Sequence, residues 1–131
     1  MGRGQRNAVA SYIRLILSHG ILIAMEPDSP SVSHWTGEIA SFHDALIQHY
    51  SVGIRDRIDM TSVWRQAIRE ATRKLSHAGG VAGSGLSKRD NGFDRACPIG
   101  IEFVCDENFQ LRALIERLLT CLPTDRSQIP C

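Results

Sequence analysis

The most apolar stretch of the chain is "IRLILSHGILIAM" at residues 13–25, and the fold is expected to form around it. Apolar residues recur at helical spacing and predict a helix over residues 7–25, whose inner side holds Val9, Tyr12, Ile13, Ile16, Leu17 and Ile23. The two prolines of "EPDSP" end this helix. Arg14, Ser18 and His19 interrupt the stretch, which falls short of the largely uninterrupted run of about 20 residues that a spanning helix needs. The sequence therefore predicts a buried core helix and no membrane segment.

Two amphipathic helices are predicted after it. One covers residues 33–50, with Ser31 or Ser33 as its N-cap and an apolar stripe of Trp35, Ile39, Phe42, Leu46 and Tyr50. The other covers residues 54–75, where Asp59 and Thr61 blur an inner row of Ile54, Ile58, Trp64, Ala67, Ile68, Ala71 and Leu75. The short spacer between them predicts that the two helices pack as antiparallel neighbours.

Residues 76–92 are rich in glycine and hold almost nothing that a core would bury, which predicts a flexible internal loop. Within it, "GGVAGSGLS" at residues 79–87 resembles a phosphate-binding loop because of Gly80 and Gly85. Leu86 stands where that motif needs lysine, however, and the segment follows a predicted helix rather than a strand. No nucleotide site is predicted.

The chain beyond the loop is predicted to be helical again. Pro98 is expected in the first turn of a short helix over residues 98–105. Asn108 is expected to cap a last helix over residues 111–122, whose apolar stripe is Leu111, Leu114, Ile115, Leu118 and Leu122. Residues 123–131 are expected to form a loose tail. The sequence thus predicts one all-α domain, residues 1–131, folded as an irregular helical bundle of about four helices with a glycine-rich internal loop.

Composition bounds the class of protein. With 43% hydrophobic and 22% charged residues and a net charge of +1, the chain is an ordinary globular one, without an overall field to attract nucleic acid or an anionic membrane. Its four cysteines form no Cys-x-x-Cys pair, and the N-terminus does not resemble a secretory signal. These features predict reduced thiols and a cytoplasmic location.

No metal site, cofactor or catalytic set of residues is predicted. His34 and Glu38 lie four residues apart and would share a helix face, but the six-residue separation of His43 and His49 turns their rings apart. Cys97 would need a basic partner that the sequence does not place. An enzyme working through Cys97 or the histidines is therefore the least favoured function.

Positive charge is concentrated in a ridge on the third predicted helix, formed by Arg65, Arg69, Arg73 and Lys74 and extended by Arg55 and Arg57. Negative charge collects ahead of the last helix, at Glu102, Asp106 and Glu107. The ridge has two interpretations. It is either a solvated helix face that docks on the acidic residues of the same molecule, or a contact surface for an acidic partner or a phosphate backbone.

Four stretches occur in the order "MGRGQRNAVASYIRLILSHGIL" at 1–22, "HWTGEI" at 34–39, "HYSVGIRDRI" at 49–58 and "FDRACPIGIEFVCDENF" at 93–109. Their succession resembles the bacterial family called domain of unknown function 29 over residues 1–109. The matching positions are Gly2, Arg3, Trp35, Glu38, Ile39, Ile54, Ile58, Cys97, Pro98, Glu102, Asp106, Glu107 and Phe109. The resemblance implies an all-helical domain with no established activity, substrate or cofactor.

Members of that family usually begin with a further helix, so part of the apolar face of the first three helices is expected to lack its cover. The last predicted helix is expected to substitute for it, or the chain is expected to pair with a second copy. The remaining alternatives are a start further upstream and a gene that is a truncated remnant.

The resemblance carries over no catalytic residue. Because amphipathic helices abound and catalytic residue sets do not, the favoured function is a non-enzymatic helical interaction module that binds another protein or itself, as a homodimer. The alternative is a nucleic-acid-associated accessory protein that uses Arg65, Arg69 and Arg73.

Overall fold

The computed structural model describes residues 2–77 and 99–121, and every regular element in those two ranges is an α-helix. In chain order the helices are α1 (Gly2–Met25), α2 (Val32–His49), α3 (Val52–Arg55), α4 (Met60–His77), α5 (Ile101–Val104) and α6 (Leu111–Cys121). Four of them are substantial and two are single turns. The predicted all-α class is confirmed.

α1 is the central helix, since α2, α4 and α6 each pack against it. Every residue of α1 from 16 to 24 is buried, because the helix is apolar on nearly all sides and neighbours cover it. These residues join buried residues of the other helices in one hydrophobic cluster. α2 and α4 contact α1 far more than each other, so the prediction that they pack as antiparallel neighbours is wrong.

The last helix reaches α1 at a glycine. A Cβ atom added to Gly20 would lie 3.0 Å from Leu114 Cδ2 and 3.1 Å from Leu118 Cδ1. Both leucines are fully buried, and burying a leucine side chain stabilises a fold by about 1.5–3 kcal/mol. α6 therefore covers part of the apolar surface of α1, as expected of the last helix.

The predicted single helix over residues 54–75 is wrong, because a turn at residues 56–59 separates α3 from α4. Ser51 Oγ accepts the backbone N–H of Ile54 at 3.4 Å, and Asp59 Oδ1 accepts the backbone N–H of Ser62 at 3.2 Å. Such side chains satisfy the free N–H groups at a helix start and so favour a new start there. Two helix starts within ten residues leave no room for one continuous helix.

Other helix boundaries also differ from prediction. α1 begins at Gly2, before residue 7, and Ser31 occupies the N-cap position of α2 without a side-chain capping bond. The helix predicted over residues 98–105 is limited to the single turn of α5. Asn108 does not cap α6, which begins at Leu111; its backbone N–H instead bonds to Asp106 Oδ1 at 2.8 Å, within a turn.

Several predicted features lie outside the described residues. Of the predicted loop at residues 76–92, only Ser76 and His77 are described, and both belong to α4. The stretch "GGVAGSGLS", Cys97, Pro98 and the tail at residues 123–131 all fall in the remaining segments.

The expectation about membranes rested on a length that the structure revises. In the described part of the chain, one helical window, Arg6–Met25, is long and apolar enough to cross a membrane by length and composition alone. Within this fold 61% of that window is buried, which is also typical of the core helix of a globular protein. The absence of a membrane segment stays a prediction, now supported by burial rather than by length.

Candidate functional site

Three arginines form an exposed row on α4, which we call the arginine face: Arg65, Arg69 and Arg73. The spacing of four residues places them along one side of the helix. The opposite side faces α1 and is buried, with Trp64, Ala67, Ile68, Ala71 and Leu75 in the core. No carboxylate among residues 2–77 and 99–121 forms an ion pair with the arginine face.

The two charged neighbours of the row on α4 lie off its line. Glu70 pairs with Arg14 of α1, so its carboxylate turns toward the core side. Lys74 is exposed but sits one residue beyond Arg73, which turns it about 100° around the helix. Lys74 is also close enough to His19 of α1 to lower the pKa of that imidazole. The predicted ridge is therefore reduced to the three arginines, with Lys74 on the flank that faces α1.

The predicted extension of the ridge is also wrong. Arg55 ends α3 and Arg57 lies in the turn before α4, so neither shares the helix of the arginine face. Arg55 Nη1 instead lies 3.3 Å from Glu102 Oε2, in an exposed ion pair. The acidic residues ahead of α6 thus approach α3, and the described residues show no docking of the arginine face on them.

The histidines occupy separate structural contacts rather than one site. His34 Nε2 lies 3.6 Å from Glu38 Oε1, which confirms that these two side chains share a face of α2. His43 donates from Nε2 to the carbonyl of Asp106 at 2.9 Å and stacks on Phe109 at 4.7 Å, and so fastens the segment before α6 to α2. No group of three or more metal-ligating side chains occurs in the described ranges.

Sequence reasoning missed a buried polar cluster between α1 and α4, formed by Arg14, Ser18, His19 and Glu70. Arg14 Nη1 donates to Glu70 Oε2. Ser18 Oγ lies 3.3 Å from Glu70 Oε1, and His19 Nδ1 lies 2.8 Å from the carbonyl oxygen of Leu15. A usable signal was present, because Ser18 and His19 interrupt an apolar helix, and buried polar groups require hydrogen-bond partners.

The buried polar cluster does not form a nucleophilic serine. Since a carbonyl oxygen only accepts, His19 Nδ1 carries the hydrogen and cannot take a proton from Ser18 Oγ, 3.4 Å away. Ser18 is fully buried as well, out of reach of a substrate. Burial lowers the pKa of His19, so its ring is neutral at pH 7.

Cys105 is a second buried group that sequence reasoning left open. Burial raises the pKa of its thiol to about 12, which keeps it protonated at neutral pH. A protonated thiol is a poor nucleophile and a poor metal ligand. Cys105 therefore acts as a core side chain.

The fold is similar to that of other helical proteins of unknown function. A family model described as "Domain of unknown function DUF29" matches residues 1–110. A crystal structure of an alpha-helical protein of unknown function from Rhodospirillum rubrum is 30% identical in sequence, with a TM-score of 0.78, over 90% of this chain and 70% of that one. No curated protein matches the chain. The resemblance drawn from the sequence motifs is confirmed.

Proposed function

The chain belongs to the DUF29 family, and we propose that it is a non-enzymatic interaction module whose arginine face binds an acidic segment of a partner protein. One observation carries this proposal: Arg65, Arg69 and Arg73 are exposed in a row without an ion-pair partner in the described part of the chain. The nearest carboxylate on the same helix, Glu70, is engaged by Arg14.

The row of like charges has a physical cost that a partner would remove. Like charges four residues apart destabilise a helix by about 0.2–0.5 kcal/mol per pair. Carboxylates placed along the arginine face would cancel this repulsion and accept paired hydrogen bonds from the guanidinium groups. An extended or helical acidic segment fits this requirement, since it presents several carboxylates in a line.

The apolar surface favours a polar contact over self-association through a hydrophobic face. Among the described residues, the large apolar side chains left exposed are Val52 and Leu119, at 64% and 46%. Permanent homodimers usually bury a larger and more hydrophobic surface than two separate side chains provide. A charged, reversible contact with another protein is the better match.

A nucleic acid is the alternative partner, because guanidinium groups also bind phosphates. Against it, the net charge of the chain is +1, and Trp64, the aromatic residue next to Arg65, is buried in the core. Nucleic-acid surfaces generally combine a stronger basic patch with side chains that reach bases. Binding to DNA is therefore an outcome that the following experiment separates.

The test compares a fluorescently labelled polyglutamate peptide with a labelled DNA duplex by anisotropy, at low and high salt. We expect the peptide to bind, with an affinity that falls as salt screens the charges. Arg69→Glu should weaken peptide binding about tenfold, which corresponds to ~1.4 kcal/mol. Arg112→Glu is the matched control, because Arg112 is also an exposed helical arginine without an ion pair in the described residues.

The possible results have distinct meanings. Equal losses in Arg69→Glu and Arg112→Glu would indicate nonspecific attraction and contradict the proposal. Tighter binding of the duplex, lost in Arg69→Glu and steeply dependent on salt, would favour the nucleic-acid alternative. Circular dichroism of both variants checks that the helices remain intact.

A further inference from the structure

A cleft of about 280 Å³ opens between the N-terminal half of α1 and the junction that leads into α4. Its polar lining includes Arg6, Ser11, Arg14, Arg57, Asp59 and Ser62. None of the three residues of the arginine face lines it. The cleft is thus a separate feature from the surface proposed to bind a partner protein.

Three guanidinium groups border this cleft, and they differ in how their charge is balanced. Arg14 is held by Glu70. Arg6 and Arg57 have no carboxylate partner within residues 2–77 and 99–121. Two unbalanced positive charges therefore border one small cavity, contributed by separate elements, α1 and the turn before α4.

Neutral hydrogen-bond donors complete the lining. Ser62 Oγ accepts a hydrogen bond from Gln66 Nε2 at 3.1 Å, so its own hydroxyl hydrogen can point to another acceptor. Ser11 and Asn7 contribute a hydroxyl and an amide from α1. The cleft thus combines charged and neutral donors, which is the set that binds an anion with several oxygens.

We propose that this cleft binds a phosphate group, either free or carried by a small molecule. A phosphate monoester has a charge of about −1.5 to −2 at neutral pH, which matches the two unpaired guanidinium groups. A single carboxylate would leave one of them unbalanced. The fork of donors in arginine fits phosphate oxygens in pairs, and the cavity is near the lower end of ligand pockets, about 300 Å³.

One carboxylate in the lining gives the proposal a sharp test. Asp59 caps α4 by accepting the N–H of Ser62 at 3.2 Å, and its negative charge opposes a bound anion. Asparagine caps helices about as well as aspartate. Asp59→Asn should therefore keep the helix start and tighten phosphate binding by about threefold, because it removes one repulsive charge.

The experiment titrates the full chain with inorganic phosphate and, separately, with glycerol phosphate, and follows backbone amide shifts by NMR. Arg6→Gln/Arg57→Gln should weaken binding by about tenfold or more, since both unpaired charges are lost. Arg69→Gln/Arg73→Gln changes the net charge equally but leaves the cleft intact, so it should weaken binding less than about twofold. Tighter binding of glycerol phosphate would identify a phosphorylated small molecule, and equal binding would identify free phosphate.

Three results would overturn the proposal. One is the absence of saturable binding to the unmodified chain at millimolar phosphate. Another is an equal loss in the two double variants, which would indicate general charge attraction. The third is weaker binding in Asp59→Asn. Each can occur whether or not the arginine face binds a peptide, so the two proposals fail independently.

Discussion

α1 and the outer side of α4 treat their polar side chains in opposite ways. In α1, Ser18 and His19 are buried among apolar residues, and both hydrogen-bond to other groups of the protein. On α4, the arginine face is exposed and has no ion-pair partner in the described residues. Polar groups with internal partners hold helices together, whereas those without them are available to another molecule. Mutations in the two regions should separate stability from binding.

The largest expected effect comes from the core of α1. Leu17 is fully buried, so Leu17→Ala should lower the free energy of unfolding by about 2–5 kcal/mol through lost burial and a residual cavity. Arg69→Ala should change it by less than about 0.5 kcal/mol, because the side chain is exposed. Urea denaturation measures both. A loss above ~1 kcal/mol in Arg69→Ala would mean that the arginine face has a structural role, and the comparison would fail.

The next largest effect is expected where the two helices meet in the buried polar cluster. Glu70→Gln removes the charge that Arg14 and Ser18 contact, and should cost about 1.5–3 kcal/mol of stability. Glu116→Gln is the matched control, since Glu116 is an exposed residue of α6 outside every ion pair described.

A second variant tests whether the cost belongs to the ion pair. In Arg14→Gln/Glu70→Gln neither charge is left without its partner, so the double variant should lose less than the sum of the two single losses. Additive losses would show that Arg14 and Glu70 act separately. In that case α1 and α4 would be joined by apolar packing alone.

Regular spacing explains what the sequence could predict. The stripe that contains Ile13, Ile16 and Leu17 is regular enough to predict α1 and its burial, and all three residues are in the core. The exposure of Arg65 and Arg69 followed from the same logic, because they lie opposite the apolar stripe of their helix. These features depend only on neighbours along one helix.

Features that depend on distant or capping contacts were missed. Arg14 and Glu70 lie 56 residues apart in sequence, and no local pattern pairs them. The break before α4 results from a cap by Asp59, which sequence analysis treated as a blemish in one helix. Arg57 was therefore assigned to a ridge, although it lines the cleft. Single-helix periodicity places faces, but it does not show which charges meet across helices.

The smallest effect we expect is a pH dependence caused by His19. Burial lowers the pKa of His19 below its ordinary value of 6.5, and Lys74 lowers it further, while the Leu15 carbonyl, Glu38 and Glu70 act in the opposite direction. The unfolded chain therefore binds a proton below about pH 6.5 that the folded chain does not yet bind. The free energy of unfolding should then fall as pH decreases from 6.5 toward the lowered pKa, and His19 should contribute no slope above 6.5.

Urea midpoints between about pH 7.5 and pH 5 test this, because carboxylates with ordinary pKa values near 4 stay ionised over that range. His19→Gln should flatten the slope, since the amide can still donate to the Leu15 carbonyl but does not titrate. His34→Gln should keep the slope, because the His34 side chain is 70% exposed. If both variants keep it, another group titrates, and the burial of His19 in α1 does not influence stability through its charge. If only His19→Gln removes it, the buried helix is sensitive to acid at one imidazole, and the arginine face, charged throughout this range, is not.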